Sequence, residues 1–248
     1  MKKNWFWRFL YKLHRYTGLF SALILIMLAV TGIALNHTED LELDSQMVQS
    51  PTLLDWYSIK PSHKLKSFST KNHWLTEVNQ QLYFDHTLLS KNIKDLLGAV
   101  ATNDFIVVAL KDSLLLLSLQ GELIEQTTFE SIQNIGLDFQ QNIVIKSNNS
   151  HFISQDGLIS WDSYPKNKLV TWSNASAAPQ PLSQNINHQF RSSILPIERV
   201  MLDIHSGRFF GYFGVIIVDI SGVFLIILAL SGCAVWLKHK FRGLKRHK

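Results

Sequence analysis

The sequence predicts a protein of mixed class, membrane α plus extracytoplasmic β, in which two transmembrane helices flank one β-rich domain. Three observations predict it: two long apolar runs almost free of charge, basic residues massed outside both, and short apolar runs broken by turn residues through the middle of the chain. Whole-chain averages conceal this pattern. Of 248 residues, 46% are apolar and 17% charged, close to an ordinary soluble protein, because two kinds of sequence are mixed.

The first run, residues 19–35, contains no charge, and the second, residues 213–237, contains only Asp219. A hydrocarbon core about 30 Å thick needs about 20 apolar residues at about 1.5 Å each, and both runs meet that length. Orientation follows from the flanks. Residues 1–17 carry five Lys/Arg and no acid, residues 238–248 carry six and no acid, and residues 38–200 carry 12 Lys/Arg against 17 Asp/Glu. Basic flanks stay in the cytoplasm, so both termini are expected there and the central domain in the periplasm of a bacterial inner membrane. Trp5, Trp7, Tyr11, Tyr16 and Trp236 stand where interfacial aromatics belong. The net charge of +5 therefore reads as membrane orientation and not as nucleic-acid binding. The first run exceeds a signal-peptide core and is not followed by a small-x-small site, which favours an uncleaved anchor. Cys233 is the single cysteine, so no intrachain disulfide forms.

The organisation expected is a basic cytoplasmic segment over 1–17, a transmembrane helix over 18–37, a periplasmic β-rich domain with linkers over 38–196, a helix start and second transmembrane helix over 197–237, and a basic tail over 238–248. Within the central domain, residues 50–75 read as a polar lead-in. Strand-length apolar runs follow at 81–84, 105–110, 114–119, 142–145 and 152–153, and Gln120-Gly121 and Asp156-Gly157 mark hairpin turns. Residues 108–126 lie over 144–162 as a faint repeat, with 78–89 as a shorter copy. This spacing fits a meander, or a partial propeller-like sheet. An unrelated series of hairpins fits it equally. Residues 173–194, rich in Pro, Ser and Asn, read as the return linker, and Pro196 stands where a helix would begin. No Gly-rich nucleotide loop, Cys-x-x-Cys-His haem attachment motif or Ser/His/Asp constellation occurs.

Of ten histidines, three lie at the membrane runs. His14 and His37 are separated by about 34 Å of helix and so mark opposite faces of the bilayer. His205, at the start of the second run, is expected near the depth of His37. Histidine is the common axial ligand of membrane-embedded b-type haem; polar residues facing headgroups are the plainer reading. Gly18, Ala22, Ala29 and Gly32 form a stripe on the first helix, and Gly207, Gly211, Gly214, Gly222, Ala229 and Gly232 on the second. Such stripes permit close helix approach and equally leave room for a flat porphyrin. Two spans enclose little, so a homodimeric four-helix bundle is the expected unit. Asp219, costly within hydrocarbon, is expected to face the bundle interior, in a proton-relay or quinone-contact role or simply bonded to a hydroxyl. Glu39, Asp40, Glu42 and Asp44 form an acidic run whose hard oxygens suit Fe(III), or an ordinary solvated linker.

Leu-His-Arg-Tyr-Thr-Gly-Leu at 13–19 resembles the opening of the PepSY-associated transmembrane helix family. So do the stretch from Leu28 to His37 and the Asp-Ile-His-Ser-Gly-Arg-Phe-Phe-Gly motif at 203–211, which contains His205 and Arg208, with Val218-Asp219 and Leu230-Ser231-Gly232 after it. The resemblance implies a bacterial inner-membrane protein linked to iron acquisition: a ferric reductase holding haem b through His14, His37 and His205, with iron as substrate. It implies electrons from quinol or a cytoplasmic donor, and a ferrous iron transporter as a possible partner. The alternative is a non-enzymatic anchored periplasmic domain serving a transporter or sensor, motivated by the size of the β-rich insert.

Overall fold

The computed structural model describes residues 2–62 and 64–246. The side chains of residues 2–11 and 238–248, which hold most of the basic flanks and His239 and His247, lie outside the described part. The chain divides into two compact units. One comprises residues 1–50 and 193–248, and the other residues 51–192.

In the first unit, α1 (Lys2–Asn36) is continuous, because nothing between Leu19 and Leu35 breaks it and Gly18 and Gly32 are isolated. Its stretch His14–Asn36, and Arg208–Cys233 later in the chain, are long and apolar enough to cross a membrane. After Asn36 the chain runs through successive turns, with Leu41 N–H donating to His37 O and Leu43 N–H to Thr38 O. Met47 then pairs antiparallel with Pro196, reinforced by Val48 N–H to Leu195 O and Ile197 N–H to Gln46 O, each 2.9 Å. Leu43, Val48, Leu195 and Val200 are buried here.

Pro196 caps α4 (Ile197–His205) in an extended conformation. Between α4 and the second apolar run the chain turns a corner. Gly207 adopts φ 76° and Gly211 φ 68° on either side of a 3-10 turn (Arg208–Phe210), and α5 (Gly211–Arg246) begins after it. Only glycine reaches these angles without strain. A Cβ on Gly214 would stand 2.1 Å from the Gly207 carbonyl oxygen, so the first turn of α5 lies against the corner backbone. Three members of the expected small-residue stripe, Gly207, Gly211 and Gly214, are thus there to make a corner. Gly18, Gly222 and Gly232 meet nothing where a Cβ would point. Among the described residues, those buried on the long helices are Ser21 and Thr31 on α1 and Gly214 and Ser221 on α5.

The second unit is the expected meander, three times over. β1 (Lys66–Thr70), β2 (His73–Val78), β3 (Gln81–Phe84) and β4 (Thr87–Ser90) form the first antiparallel sheet. β5 (Leu96–Ala101), β6 (Phe105–Leu110), β7 (Ser113–Ser118) and β8 (Leu123–Thr128) form the second. β9 (Ile132–Leu137), β10 (Ile143–Ser147), β11 (Ser150–Ser154) and β12 (Asp162–Tyr164) form the third, with β13 (Thr171–Trp172) added beside β9. The 36-residue repeat is β6–β7 laid over β10–β11, and the shorter copy is the end of β2 with β3. Two of the matching turns, Asn79-Gln80 and Asn148-Asn149, have positive φ at both positions, as two-residue hairpins require. Asp156-Gly157 lies in a longer loop. There Asp156 accepts bonds from Ser154 Oγ and from Ser160 N–H and Oγ, which hold its carboxyl down at about 2.

The middle sheet explains its own composition. Ile106, Val108 and Leu110 of β6 enter a core shared with β1–β3, while Val107 and Ala109 enter one shared with β9 and β10. A strand covered on both faces is apolar throughout. One segment, residues 171–176, ties the sheets together. Ser173 N–H donates to Ile135 O at 2.8 Å, Ser173 Oγ donates to Ala99 O at 2.8 Å and accepts from Ala99 N–H at 3.0 Å, and Ser176 N–H donates to Ser67 O.

Two elements depart from expectation. The lead-in contains α2 (Pro51–Trp56) and β1. The return linker contains α3 (Gln180–Ser192), whose Leu182, Ile186 and Phe190 bury against Val78 and Tyr83. Their spacing of four is a helical stripe, submerged among Gln, Asn and Ser. Arg191 closes α3 onto α2, with Nε to Ile59 O at 2.7 Å and a guanidinium N–H to Asp55.

Candidate functional site

Each candidate histidine sits at a helix end or within a long helix. His205 occupies the last turn of α4, immediately before the Gly207 corner. That corner turns the ring onto α1. Its Nδ1 lies 2.8 Å from Thr31 Oγ1, and a Cβ on Gly32 would stand 3.4 Å from its Cε1. Thr31 itself is buried and donates back to Met27 O at 2.8 Å. Ring Nε2 has no hydrogen-bond partner among the described residues.

His37 lies six residues beyond Thr31, about 9 Å further along the helix axis. The structure therefore does not set His37 and His205 at one level of the same chain. The physical reason is a single contact: His205, the last residue of α4, is bonded to Thr31 within α1 and not to the end of that helix. His37 Nδ1 is instead 2.9 Å from Asp40 Oδ2, on an exposed turn. His14 is exposed on α1.

Glu39, Asp40, Glu42 and Asp44 are all exposed, spread around consecutive turns, with Glu42 at φ 52°. Among the described residues no three His, Cys, Asp or Glu side chains are grouped as a metal site. The acidic run is thus not grouped as a metal site among the described residues, and Asp40 is bonded to His37 instead. Arg208 is exposed in the 3-10 turn. Asp219 is exposed on α5, two residues and about 200° of rotation from buried Ser221. Within one chain it faces away from the buried side of its helix.

Two residues of this region escaped the sequence reading. Thr31 is a hydroxyl beside Gly32 in an otherwise apolar run, which is its only signal. Asp203 is 5% exposed. Its Oδ2 takes a bond from Arg199 Nε at 3.1 Å, and its buried Oδ1 has no partner among the described residues. Its signal is the Arg199–Asp203 spacing of four on one helix face.

In the β unit, His73 Nδ1 meets Asp85 Oδ2 at 2.7 Å and its ring stacks on Phe84. His151 stands directly across from Tyr164 on the neighbouring strand and packs edge-on to Trp172. Burial, with Lys146 and Lys166 nearby, lowers its pKa below the usual imidazole value.

No curated protein and no solved structure matches the chain significantly. The family model described as the PepSY-associated TM region matches residues 1–239, taking in both membrane-length helices and the whole β unit between them. With two such helices flanking a β-rich domain, and with the histidine and glycine motifs placed at the helix ends and corner, the chain belongs to the PepSY-associated TM region family.

Proposed function

We propose that this protein is a homodimeric electron-transfer protein of the bacterial cytoplasmic membrane, which reduces ferric iron on the periplasmic side and so supports ferrous iron uptake. The cofactor of this reading is b-type haem held by the membrane histidines. The observation that carries it is the state of His205: one ring nitrogen is engaged by Thr31 and the other is open. His37 has the same arrangement toward Asp40. Histidines that bind metals are characteristically held this way, by an oxygen partner on the second nitrogen. The residues thus fit haem, which His205 and His37 would hold through their open ring nitrogens. The group would supply a one-electron carrier.

The chain's own residues do the rest. Thr31 and Asp40 orient the two rings, Gly32 leaves room beside His205, and the Gly207–Gly214 corner fixes the direction of approach. The offset of about 9 Å along α1 between Thr31, which holds His205, and His37 favours pairing between two copies of the chain over pairing within one. Asp219 and the open Gly222 share the uncovered side of α5, which suits a four-helix interface. Each ferric ion accepts one electron, drawn from quinol or a cytoplasmic donor.

A reduced-minus-oxidised spectrum of the purified protein tests the reading. Haem b bands are expected in wild type and in a His86→Ala control, and are expected to fall sharply in His205→Ala. Absence of bands from protein made in haem-replete cells overturns the electron-transfer reading.

A second reading, a membrane-anchored periplasmic interaction domain, is favoured by Leu123 and Ile124, exposed on edge strand β8. Removing the β unit discriminates. Ferric reduction that survives deletion assigns the chemistry to the helices, whereas loss of a partner from a haem-free protein assigns the chain an adaptor role.

A further inference from the structure

We propose that Thr31 is a positioning residue that fixes His205 as its Nδ1–H tautomer and so presents the Nε2 lone pair as the ligand atom. The identity of the ligand, haem iron, rests on the reading above, but the tautomer does not. A threonine hydroxyl carries one proton. Thr31 is held against its own helix, with Oγ1 2.8 Å from Met27 O and 3.3 Å from Leu28 O. Both neighbours are carbonyls, which only accept, so the hydroxyl proton is directed to them. The 2.8 Å approach of His205 Nδ1 to the same oxygen then requires the proton of that bond to sit on nitrogen. In a neutral imidazole this leaves Nε2 unprotonated.

The alternative has the hydroxyl swing to Nδ1, with the ring proton on Nε2. That arrangement gives up the bond to Met27 O and leaves an N–H donor with no partner among the described residues. Gly32 completes the seat. Cε1, between the two nitrogens, lies 3.4 Å from where a Cβ on Gly32 would stand, so the ring sits in contact distance of the α1 backbone at that position. One hydrogen bond and one close contact thus fix both where the ring is and which nitrogen is free.

The test uses the full-length protein in detergent micelles, labelled with ¹⁵N-histidine, at alkaline pH where the ring is neutral. Long-range ¹H–¹⁵N spectra assign the tautomer of His205 by comparison with His205→Gln. The Nδ1–H form is expected in wild type and in Thr31→Ser, which keeps the hydroxyl. Thr31→Val, close in shape but without the oxygen, is expected to shift His205 to the Nε2–H form or a mixture. In haem-loaded protein Thr31→Val is expected to weaken haem retention by about 10- to 100-fold, with Thr31→Ser restoring it. An Nε2–H tautomer in wild type, or a tautomer unmoved by Thr31→Val, overturns the proposal. If the tautomer behaves as expected while no haem binds at all, the positioning role stands and the haem reading fails.

Discussion

His151 shows how much a single side chain in the β unit depends on its surroundings. Its Nδ1 is buried without a partner among the described residues, and Lys146 stands directly across the sheet from it. Burial first, then the two lysines, disfavour the protonated ring. The folded-state pKa is therefore below the unfolded value of about 6.5, and the unfolded chain binds the proton first as pH falls. The stability contribution is full above about pH 6.5 and is lost as pH drops through the folded-state value. Thermal unfolding of the β unit in the full-length protein, followed by circular dichroism, should show a melting temperature that falls as pH is lowered from about 7.5 to about 5. His151→Phe should flatten that dependence. A melting temperature equally pH-dependent in His151→Phe would assign the effect elsewhere. The same logic of partner and surroundings separates the membrane histidines. His205 is held by Thr31, His37 by Asp40, and His14 stands exposed on α1.

Among the elements, the corner between α4 and α5 carries the most consequence, since it aims His205. Gly214 tolerates no side chain because the Gly207 carbonyl occupies the place a Cβ would take. Gly214→Ala should destabilise the helical unit by about 1–3 kcal/mol and displace His205 from Thr31, whereas Gly18→Ala, whose Cβ would meet nothing among the described residues, should be close to neutral. Melting temperatures of the two variants in micelles check this pair, and equal values would remove the corner's special role. The glycine-rich stretch was visible in the sequence, but its purpose was not. A stripe of small residues and a corner made of glycines have the same one-dimensional spacing, and only the backbone angles tell them apart. α3 was missed for a related reason. Its buried face is only Leu182, Ile186 and Phe190, and the polar residues between them dominate any local average.

For the whole molecule, the two membrane-length helices with a β-rich unit between them place both termini on one side of a bilayer. From the basic residues at 2–15 and 238–248 we propose that this side is the cytoplasm. On that proposal, a fluorescent reporter fused to the C-terminus should fluoresce in the bacterial cytoplasm, while an alkaline phosphatase fusion there should be inactive and one in the loop around Asp156 active. The reverse pattern would overturn the proposed orientation and, with it, the proposed periplasmic site of iron reduction. The β unit, the larger share of the chain, is built from local meanders, so it forms most of its hydrogen bonds between strands adjacent in sequence. The exceptions run through Ser173 and its neighbours, which join strands of all three sheets.

The sequence by itself determined the class of this protein. Apolar length, charge asymmetry and strand-length apolar runs are local properties, and each reports its element directly. It also placed β3 and β6 to the residue and marked the histidines, Asp219 and the glycines as worth attention. Tertiary structure alone decided what those residues face. The break at Gly207, the register that sets His205 against Thr31 and not level with His37, the outward side of Asp219 and the closure by Ser173 all depend on contacts between segments distant in the chain. A periodic pattern fixes which face of a helix is apolar. It does not fix how far one helix slides along another, because that is settled by close backbone approach and by single hydrogen bonds such as the one between Thr31 and His205.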